Sequence, residues 1–448
     1  MERYDVIIVG GGLAGITCGI ELAQDRYNVL ILEKELHMGG RASSWDSNGM
    51  AVDSGFHRVI GYYKHYPKLL QQAGINLNDI VVWEEKLDVL SPKHDHVTTF
   101  GVAPFHGPVK ILRAMLGNNK SIAPKAKLSL IPFFKNGLHE FKVDPNKLDQ
   151  ISILDFAREQ GVHEDAIHLF IEAMCRGIFF TPSERFSAYV FFGILAPAPQ
   201  RFYKMRIGSY LGGMSDVMIG PLVDYFENLG GEVALNQGVE RLITEGEKVI
   251  GVELGLKKFY AEQVVLSTDI GAAQYIISQS QLDQINFYSL LKLPTMPAVS
   301  VQIELTEPVL EHDRTTFAPG TVLGSFSEQS RSTFRQSKGR LSVMMASLEK
   351  LEDHTDEELL ELIFKEADQI GISMRNKVID YRVVRHGDKF YSVAPGHEIL
   401  RPSQNTVVPG LTLAGDYTKQ PYLSTMEGAV LSGELASENV KNALRESQ

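Results

Sequence analysis

The residues best suited to chemistry stand near the amino terminus, in a glycine-rich turn between two apolar segments. Gly10, Gly12 and Gly15 fit the pattern Gly-x-Gly-x-x-Gly, with Leu13 and Ala14 between the last two glycines. Glycines at this spacing permit a tight turn, let the backbone approach a pyrophosphate and let a helix pack closely on a strand. The free N–H groups at the start of that helix attract the phosphates. The turn therefore predicts a dinucleotide site.

The segments around the turn predict strand, helix and strand in the order that such a site requires. Residues 6–9 are β-branched and predict a strand buried on both faces, residues 16–23 a helix, and residues 29–32 a second strand. Glu33 ends the second strand, where its carboxylate can accept hydrogen bonds from both hydroxyls of a ribose. Lys34 follows directly and is placed in the same site.

A second glycine pair distinguishes between the possible dinucleotides. Gly39 and Gly40 are followed by Arg41, close behind the ribose-binding acid. This loop extends the diphosphate cradle along a longer cofactor, and the arginine fork can neutralise and hydrogen-bond a phosphate. Because a nicotinamide cofactor has no need of such a loop, the sequence predicts FAD.

The carboxyl-terminal segment supplies a second part of the predicted flavin site. Gly415 and Asp416 end an apolar strand and can bring an N–H group and a carboxylate to the ribityl-phosphate. A helix is predicted to start near Thr425 and Met426, with either Ser424 or Thr425 as its cap, and its dipole favours negative charge on the flavin pyrimidine ring. Between the two ends, residues 232–268 predict further strands of the cofactor domain. Val239 there either meets the adenine through its backbone or is a core valine.

Taken together, these motifs resemble the flavin amine-oxidase superfamily, and within it the carotenoid desaturases of the plant and cyanobacterial phytoene type. The most specific stretches are residues 54–57, 391–398 and 414–433. The resemblance implies non-covalent FAD, a lipophilic isoprenoid substrate, and desaturation by hydride transfer to flavin N5. It also implies a quinone or oxygen as the electron acceptor.

Three alternatives remain beside a phytoene-type desaturase. Arg41 replaces the family's usual lysine, and the cysteines expected before Arg401 are absent, which leaves room for squalene- or hydroxysqualene-type enzymes. A flavin amine oxidase acting on a soluble amine is the second alternative, and a binding protein that has lost its flavin is the third. The intact glycine and acid motifs argue against the last.

His57 is the one candidate for a catalytic side chain, since the flavin carries most of the chemistry. It follows Gly55 and is predicted to lie near the isoalloxazine, where it would either assist proton removal or hold backbone by a hydrogen bond. No metal site is predicted, because Cys18 and Cys175 are the only cysteines.

The fold predicted from these elements is α/β, with a Rossmann-type FAD-binding domain of the glutathione-reductase kind. We assign residues 1–100, 215–270 and 385–448 to that domain. Residues 101–214 and 271–384 form an inserted α+β substrate domain, which includes a helical subdomain expected to touch a membrane.

The distribution of charge along the chain indicates which partners and surfaces the protein contacts. The net charge of −11 argues against a nucleic-acid binder. Residues 101–139 nevertheless lack acids and interleave six Lys or Arg with apolar residues, which is typical of a surface that lies in a lipid interface. The first strand starts without a preceding leader, so we expect a cytoplasmic protein, peripheral on the inner face of the membrane.

Overall fold

The strands form two large sheets and three small ones. The computed structural model describes residues 3–94, 96–101, 121–196, 204–346 and 351–446. In the first half of the chain the strands are β1 (Arg3–Val9), β2 (Val29–Leu32), β3 (Ser44–Ser47), β4 (Met50–Asp53), β5 (Arg58–Ile60), β6 (Val81–Glu84), β7 (Lys86–Val89), β8 (Thr98–Gly101) and β9 (Ile207–Tyr210). In the second half they are β10 (Glu232–Ala234), β11 (Arg241–Glu245), β12 (Lys248–Leu254), β13 (Lys257–Leu266), β14 (Thr295–Met296), β15 (Val299–Leu305), β16 (Thr316–Phe317), β17 (Leu323–Glu328), β18 (Gly339–Met345), β19 (Val378–Arg385), β20 (Phe390–Tyr391) and β21 (Leu411–Leu413).

The helices lie between these strands. They are α1 (Leu13–Gln24), α2 (His65–Gln72), α3 (Pro124–Val143), α4 (Pro145–Asp149), α5 (Ile153–Glu159), α6 (Glu164–Ala166), α7 (Ala173–Phe179), α8 (Ala188–Leu195), α9 (Gly220–Asn228), α10 (Ile270–Gln279), α11 (Tyr288–Lys292), α12 (Asp356–Gln369) and α13 (Met426–Glu446). Two π-helical segments, Ile167–Glu172 and Ser215–Ile219, precede α7 and α9. Among the described helices none is long and apolar enough to cross a bilayer.

The first large sheet has the order β10-β2-β1-β13-β12-β11, with β21 beside the end of β13. β1 runs parallel to β2 and β13, and β21 runs parallel to β13. Val6, Ile7 and Ile8 are fully buried, as a strand covered on both faces requires. The α/β fold and the strands expected near both ends and over 232–268 are therefore confirmed.

Helices α1 and α13 pack against each other on one face of this sheet. A Cβ on Gly433 would lie 2.4 Å from the carbonyl oxygen of Ala14, so the two helix backbones are in direct contact. This contact brings the start of α13 beside the glycine-rich turn. The amino- and carboxyl-terminal segments of the chain thus meet at the carboxyl ends of β1, β13 and β21.

The second large sheet has the order β19-β15-β18-β17-β16-β7-β8 and is mainly antiparallel. Leu359 and Ile363 of α12 pack in one buried cluster with side chains of this sheet, such as Val301 and Val343. Residues 1–100 were assigned to the FAD-binding domain, but β7 and β8 belong to the second large sheet. β7 pairs with β16 and with β8, and neither strand pairs with the first sheet.

Helices α3 to α8 form a layer with an aromatic core. Phe133 of α3 contacts Phe191 and Phe192 of α8 and Phe156 of α5, with ring centroids 5.1–5.9 Å apart. Of the segment 101–139, residues 102–120 lie outside the described part of the chain, with Lys110, Arg113 and Lys120 among them. Residues 124–139 belong to α3.

One carboxyl group is deeply buried at the end of the β3–β4 hairpin. Asp53 ends β4, is 1% exposed, and accepts the N–H of Met214 at 3.4 Å. Burial raises its pKa to about 7, although the Met214 hydrogen bond and Arg340 oppose this and Asp216 adds to it. A carboxyl group with a raised folded-state pKa favours folding below its unfolded pKa of 3.8 and loses that contribution as the pH rises towards 7.

Asp53→Asn tests this charge directly. Because Asn has no ionised form, we expect unchanged stability near pH 4 and a gain of about 2–4 kcal/mol near pH 8, measured by urea unfolding. Asp79→Asn, at an exposed position, is the control and should change little at either pH. A loss of stability that is larger near pH 8 than near pH 4 would contradict the assignment.

Candidate functional site

One large cavity runs from the glycine-rich turn into the helical layer. Its volume is about 1790 Å³, whereas a pocket for one small molecule usually measures about 300–1,000 Å³. One end, the nucleotide end, lies at the carboxyl ends of β1 and β2. The other end, the apolar arm, lies among α3, α7 and α8. The size of the cavity therefore suits two ligands rather than one.

Two glycines of the first turn permit close backbone contacts, and a third leaves open space in the cavity. A Cβ on Gly15 would lie 2.1 Å from the carbonyl oxygen of Gly10, and a Cβ on Gly10 would lie 2.9 Å from that of Ser267. A Cβ on Gly12 would meet no described atom within 4 Å and would project into the cavity. The start of α1 is thereby held tightly against β1 while its N–H groups face open space.

The second loop continues this edge of the cavity. Gly39 and Gly40 adopt positive φ angles of 110° and 57°, which L side chains rarely adopt. Gly39 donates its N–H to the carbonyl oxygen of Gly11 at 2.7 Å, so the two glycine loops lie side by side. Together they form a cradle of exposed backbone.

Glu33 stands at the nucleotide end and is held rigidly. One carboxylate oxygen accepts the N–H of Gly11 at 2.7 Å and the other accepts that of Glu35 at 2.9 Å. Each oxygen can still accept a further hydrogen bond, because an ionised carboxylate offers about four lone-pair positions. Lys34 and Val239 line the same end of the cavity.

An ion pair joins the two ends of the chain at the middle of the cavity. Arg41 donates a short hydrogen bond to Asp416, whose other oxygen accepts the hydroxyl of Ser424 at 2.6 Å. Burial alone would raise the pKa of Asp416, but the charge and hydrogen bond of Arg41 hold it below the usual value. Phe390 lies against the guanidinium, 4.8 Å from ring centroid to Cζ.

The first turn of α13 is fixed by a cap at its own start and by hydrogen bonds to the start of α2. Thr425 accepts the N–H of Gly428 at 3.1 Å, which confirms it as a helix cap. The buried carboxylate of Glu427 accepts the N–H groups of residues 64–66, at the start of α2, at 2.6–2.8 Å. Thr425 and Met426 consequently present the amino end of α13 to the cavity.

His57 and His386 line the wall between the nucleotide end and the apolar arm. Nε2 of His57 lies 3.2 Å from the hydroxyl of Ser54, and Nε2 of His386 lies 2.7 Å from the carbonyl oxygen of Ser54. Burial lowers the pKa of His57 to about 3, with further lowering by His386 and Arg58, and burial lowers that of His386 to about 4. Both rings are therefore neutral at physiological pH.

The apolar arm is built from side chains that carry almost no polar atoms. It is lined by Leu130, Phe134, Phe170, Met174, Ile178 and Leu195, among others. The Lys127 and Lys135 side chains lie at its α3 edge. A long hydrocarbon could bury its surface here.

The residues predicted from the sequence come together here. Fourteen of the fifteen line this cavity: Gly10, Gly12, Leu13, Ala14, Glu33, Lys34, Gly40, Arg41, His57, Val239, Gly415, Asp416, Thr425 and Met426. Gly15 does not, because its place is against Gly10 beneath the turn.

Other lining residues carried no clear sequence pattern. Phe390 and His386 reach the site through contacts between distant segments, Phe390 with Arg41 and His386 with Ser54. The apolar residues of α8 are divided between the arm and the core. Ile194 and Leu195 line the arm, whereas Phe191 and Phe192 are buried core.

The nucleotide end fits a flavin dinucleotide on its own geometry. The rigid acid Glu33, the double glycine cradle with the space above Gly12, and the amino end of α13 suit in turn a ribose, a diphosphate and a flavin ring. The polar groups lie in the order in which FAD carries their partners.

Comparison with known proteins agrees with this geometry. A family model described as flavin containing amine oxidoreductase matches residues 13–441. The chain is 25% identical over 463 residues to the 15-cis-phytoene desaturase of Solanum lycopersicum, covering 98% of this chain and 78% of that protein. It is 24% identical to the zeta-carotene desaturase of Synechocystis, covering 97% and 96%.

Solved structures of the same shape include amine oxidases. Putrescine oxidase bound to putrescine superposes with a TM-score of 0.76 at 15% identity, over 98% of this chain and 99% of that one. Cyclohexylamine oxidase from Brevibacterium oxydans gives a TM-score of 0.76 at 15% identity over the whole of both chains. At this identity the likeness shows the fold. With the family match, it establishes the chain as an FAD-dependent member of the flavin containing amine oxidoreductase family, similar to the carotenoid desaturases.

Proposed function

We propose that this protein desaturates a polyisoprenoid such as phytoene or a related carotenoid precursor. The observation that carries the proposal is the apolar arm, which belongs to the same cavity as the amino end of α13, beside which we propose that the flavin ring lies. A hydrocarbon bound there loses its contact with water, and burying its surface supplies about 25 cal/mol per Å². The desaturase relatives support the same substrate class.

The site residues have distinct proposed roles in holding FAD. Glu33 accepts the ribose hydroxyls, and the backbone around Gly12 and Gly40 takes the diphosphate. Asp416 and the α13 amino terminus, at Thr425, bind the ribityl chain and the pyrimidine ring. Arg41 is held by Asp416, so it adds positive charge near the diphosphate without leaving an uncompensated charge in the wall.

The chain's own contribution to the reaction is positioning and exclusion of water. When bound, FAD supplies the acceptor for a hydride from a C–H bond of the substrate. The apolar arm aligns the hydrocarbon with that acceptor, which replaces a random encounter by a fixed approach. The amino end of α13 stabilises negative charge at the pyrimidine ring.

The same helix that lines the arm supports a membrane contact. Leu128 and Ile131 of α3 are 51% and 53% exposed, and Lys125, Lys135 and Lys142 are exposed around them. Apolar residues at a cavity edge, surrounded by lysines, suit an interface with anionic lipids. We propose that α3 lies on the cytoplasmic, inner face of the membrane, and that a quinone in that bilayer, or oxygen, is the final electron acceptor.

Two glycine substitutions separate cofactor binding from folding. Gly12 has an extended backbone (φ −76°, ψ 176°) and free space above it, so Gly12→Val should change the stability of the flavin-free protein by less than about 1 kcal/mol. Its side chain would fill the diphosphate position, and FAD affinity should fall at least about 10-fold, measured by flavin fluorescence. Gly15→Ala should instead lower the melting temperature even without FAD, because its Cβ strikes Gly10. Retention of normal FAD affinity by Gly12→Val would overturn the cofactor placement.

Anaerobic addition of phytoene in liposomes to the FAD-loaded protein tests the substrate class. We expect the flavin absorbance to bleach while a new polyene band forms, because the arm delivers the hydrocarbon to the flavin. Met174→Trp, which narrows the arm, should retain FAD and lower kcat/KM about 10- to 100-fold. Leu256→Trp, on the exposed β12–β13 turn, is the matched control.

The same assay distinguishes the alternatives. Bleaching by squalene or hydroxysqualene but not by phytoene would move the substrate to shorter isoprenoids. Bleaching by soluble amines, with no response to any isoprenoid and no effect of Met174→Trp, would contradict the proposed function.

Flotation with vesicles tests the membrane contact. Leu128→Gln combined with Ile131→Gln should lower the affinity for anionic phosphatidylglycerol vesicles at least about 10-fold, because two apolar side chains leave the interface. Leu256→Gln removes a fully exposed leucine elsewhere and should bind like the unaltered protein. Equal binding by all three proteins would remove α3 from the proposed contact.

A further inference from the structure

The hydrogen bonds of Ser54 determine which nitrogen of His57 carries the proton. The Ser54 hydroxyl lies 2.7 Å from the carbonyl oxygen of Arg41 and 3.2 Å from Nε2 of His57. A hydroxyl has one proton and a carbonyl oxygen can only accept, so Ser54 donates to Arg41. Nε2 of His57 must then donate to the Ser54 oxygen. Since the neutral ring has a single N–H group, Nδ1 carries a lone pair.

That lone pair has no protein donor. Among the described residues, Nδ1 of His57 has no hydrogen-bond partner, and His57 lines the cavity where the apolar arm meets the nucleotide end. His386 is in the same tautomer, because its Nε2–H donates to the carbonyl oxygen of Ser54. Nδ1 of His386 is buried and also lacks a partner in the described part of the chain.

An acceptor without a donor is unusual in the wall of a site for a hydrocarbon. When a bound hydrocarbon covers such an atom and shields it from water without pairing it, the cost is about 1–3 kcal/mol, which an apolar residue at position 57 would avoid. The proposed substrate carries no hydroxyl or N–H group with which to satisfy the nitrogen. What desaturation does provide is a proton, released from the carbon next to the one that loses hydride.

We propose that Nδ1 of His57 accepts this proton, an inference that rests on the proposed desaturation. One C–H bond of the substrate breaks, and its hydrogen leaves with both bonding electrons as a hydride. The flavin would accept this hydride as the oxidant, which leaves a carbocation on the substrate. The neighbouring C–H bond breaks, its proton goes to Nδ1, and its electron pair becomes the new C=C π bond. His57 leaves the step as imidazolium and returns its proton to water after the product departs.

The environment of His57 suits this role. Burial and the nearby Arg58 and His386 lower its pKa, so the ring is already neutral when substrate binds. A weak base is sufficient, since a C–H bond beside a carbocation is strongly acidic. The low pKa also makes release of the proton favourable at the end of the cycle.

His57→Gln removes the base and retains the amide N–H that can donate to Ser54. We expect FAD affinity and the substrate Kd to remain within about 2-fold, while single-turnover product formation falls about 100-fold or more. His312→Gln, at a ring that is 53% exposed and outside the cavity, is the matched control. Ser54→Ala is a second variant: it frees the His57 ring to change tautomer and should lower the rate without changing FAD affinity.

Nitrogen NMR of histidine-labelled protein provides a readout that does not depend on activity. The resonance lost in His57→Gln should show an unprotonated Nδ1 and a protonated Nε2 between about pH 5 and pH 8. A protonated Nδ1 in the unaltered protein would overturn the inference. So would full activity of His57→Gln, or loss of FAD and substrate binding in that variant, which would make His57 structural. If the unaltered protein desaturated no isoprenoid, the proposed function would fail, whatever the tautomer of His57.

Discussion

The ion pair between Arg41 and Asp416 is the contact around which the site is arranged. The two residues stand on loops that come from opposite ends of the chain, and both lie at the middle of the cavity. Breaking a buried pair by removing one partner typically costs about 3–5 kcal/mol, because the remaining charge is uncompensated. The pair therefore restrains the second glycine loop and the loop before α13 to one relative position. Ser424 and Phe390 complete that restraint.

The division of the cavity into a polar end and an apolar end follows from which layer supplies each wall. The parallel sheet ends in backbone N–H groups, glycines and acids, which hold a charged cofactor. The helical layer can offer only side chains, and around the arm these are Leu, Ile, Met and Phe. Ser54, His57 and His386 lie at the junction, where a neutral and a charged environment meet. Chemistry between a bound flavin and a hydrocarbon would take place at that junction.

The sequence was informative wherever a function depends on local backbone geometry. Gly10, Gly12, Gly15 and Glu33 are fixed by a turn of a few residues, so their spacing alone predicts their arrangement. The cap at Thr425 is local in the same sense. The apolar arm was much less predictable, because Met174 and Leu195 differ from core residues only in facing a space. The tautomer of His57 depends on Ser54 and the Arg41 carbonyl, and no sequence pattern encodes that hydrogen bond. The strand pairing of β7 with β16 was missed for a similar reason, since it joins segments more than two hundred residues apart.

One cavity is proposed to hold the flavin and a polyisoprenoid end to end. A crystal structure of the FAD-loaded protein with a fully saturated, unreactive isoprenoid tests it most directly. We expect hydrocarbon density along the arm between α3 and α8, ending beside His57 and the flavin ring. Hydrocarbon density on the outer surface alone, with the arm closed by its own side chains, would contradict it.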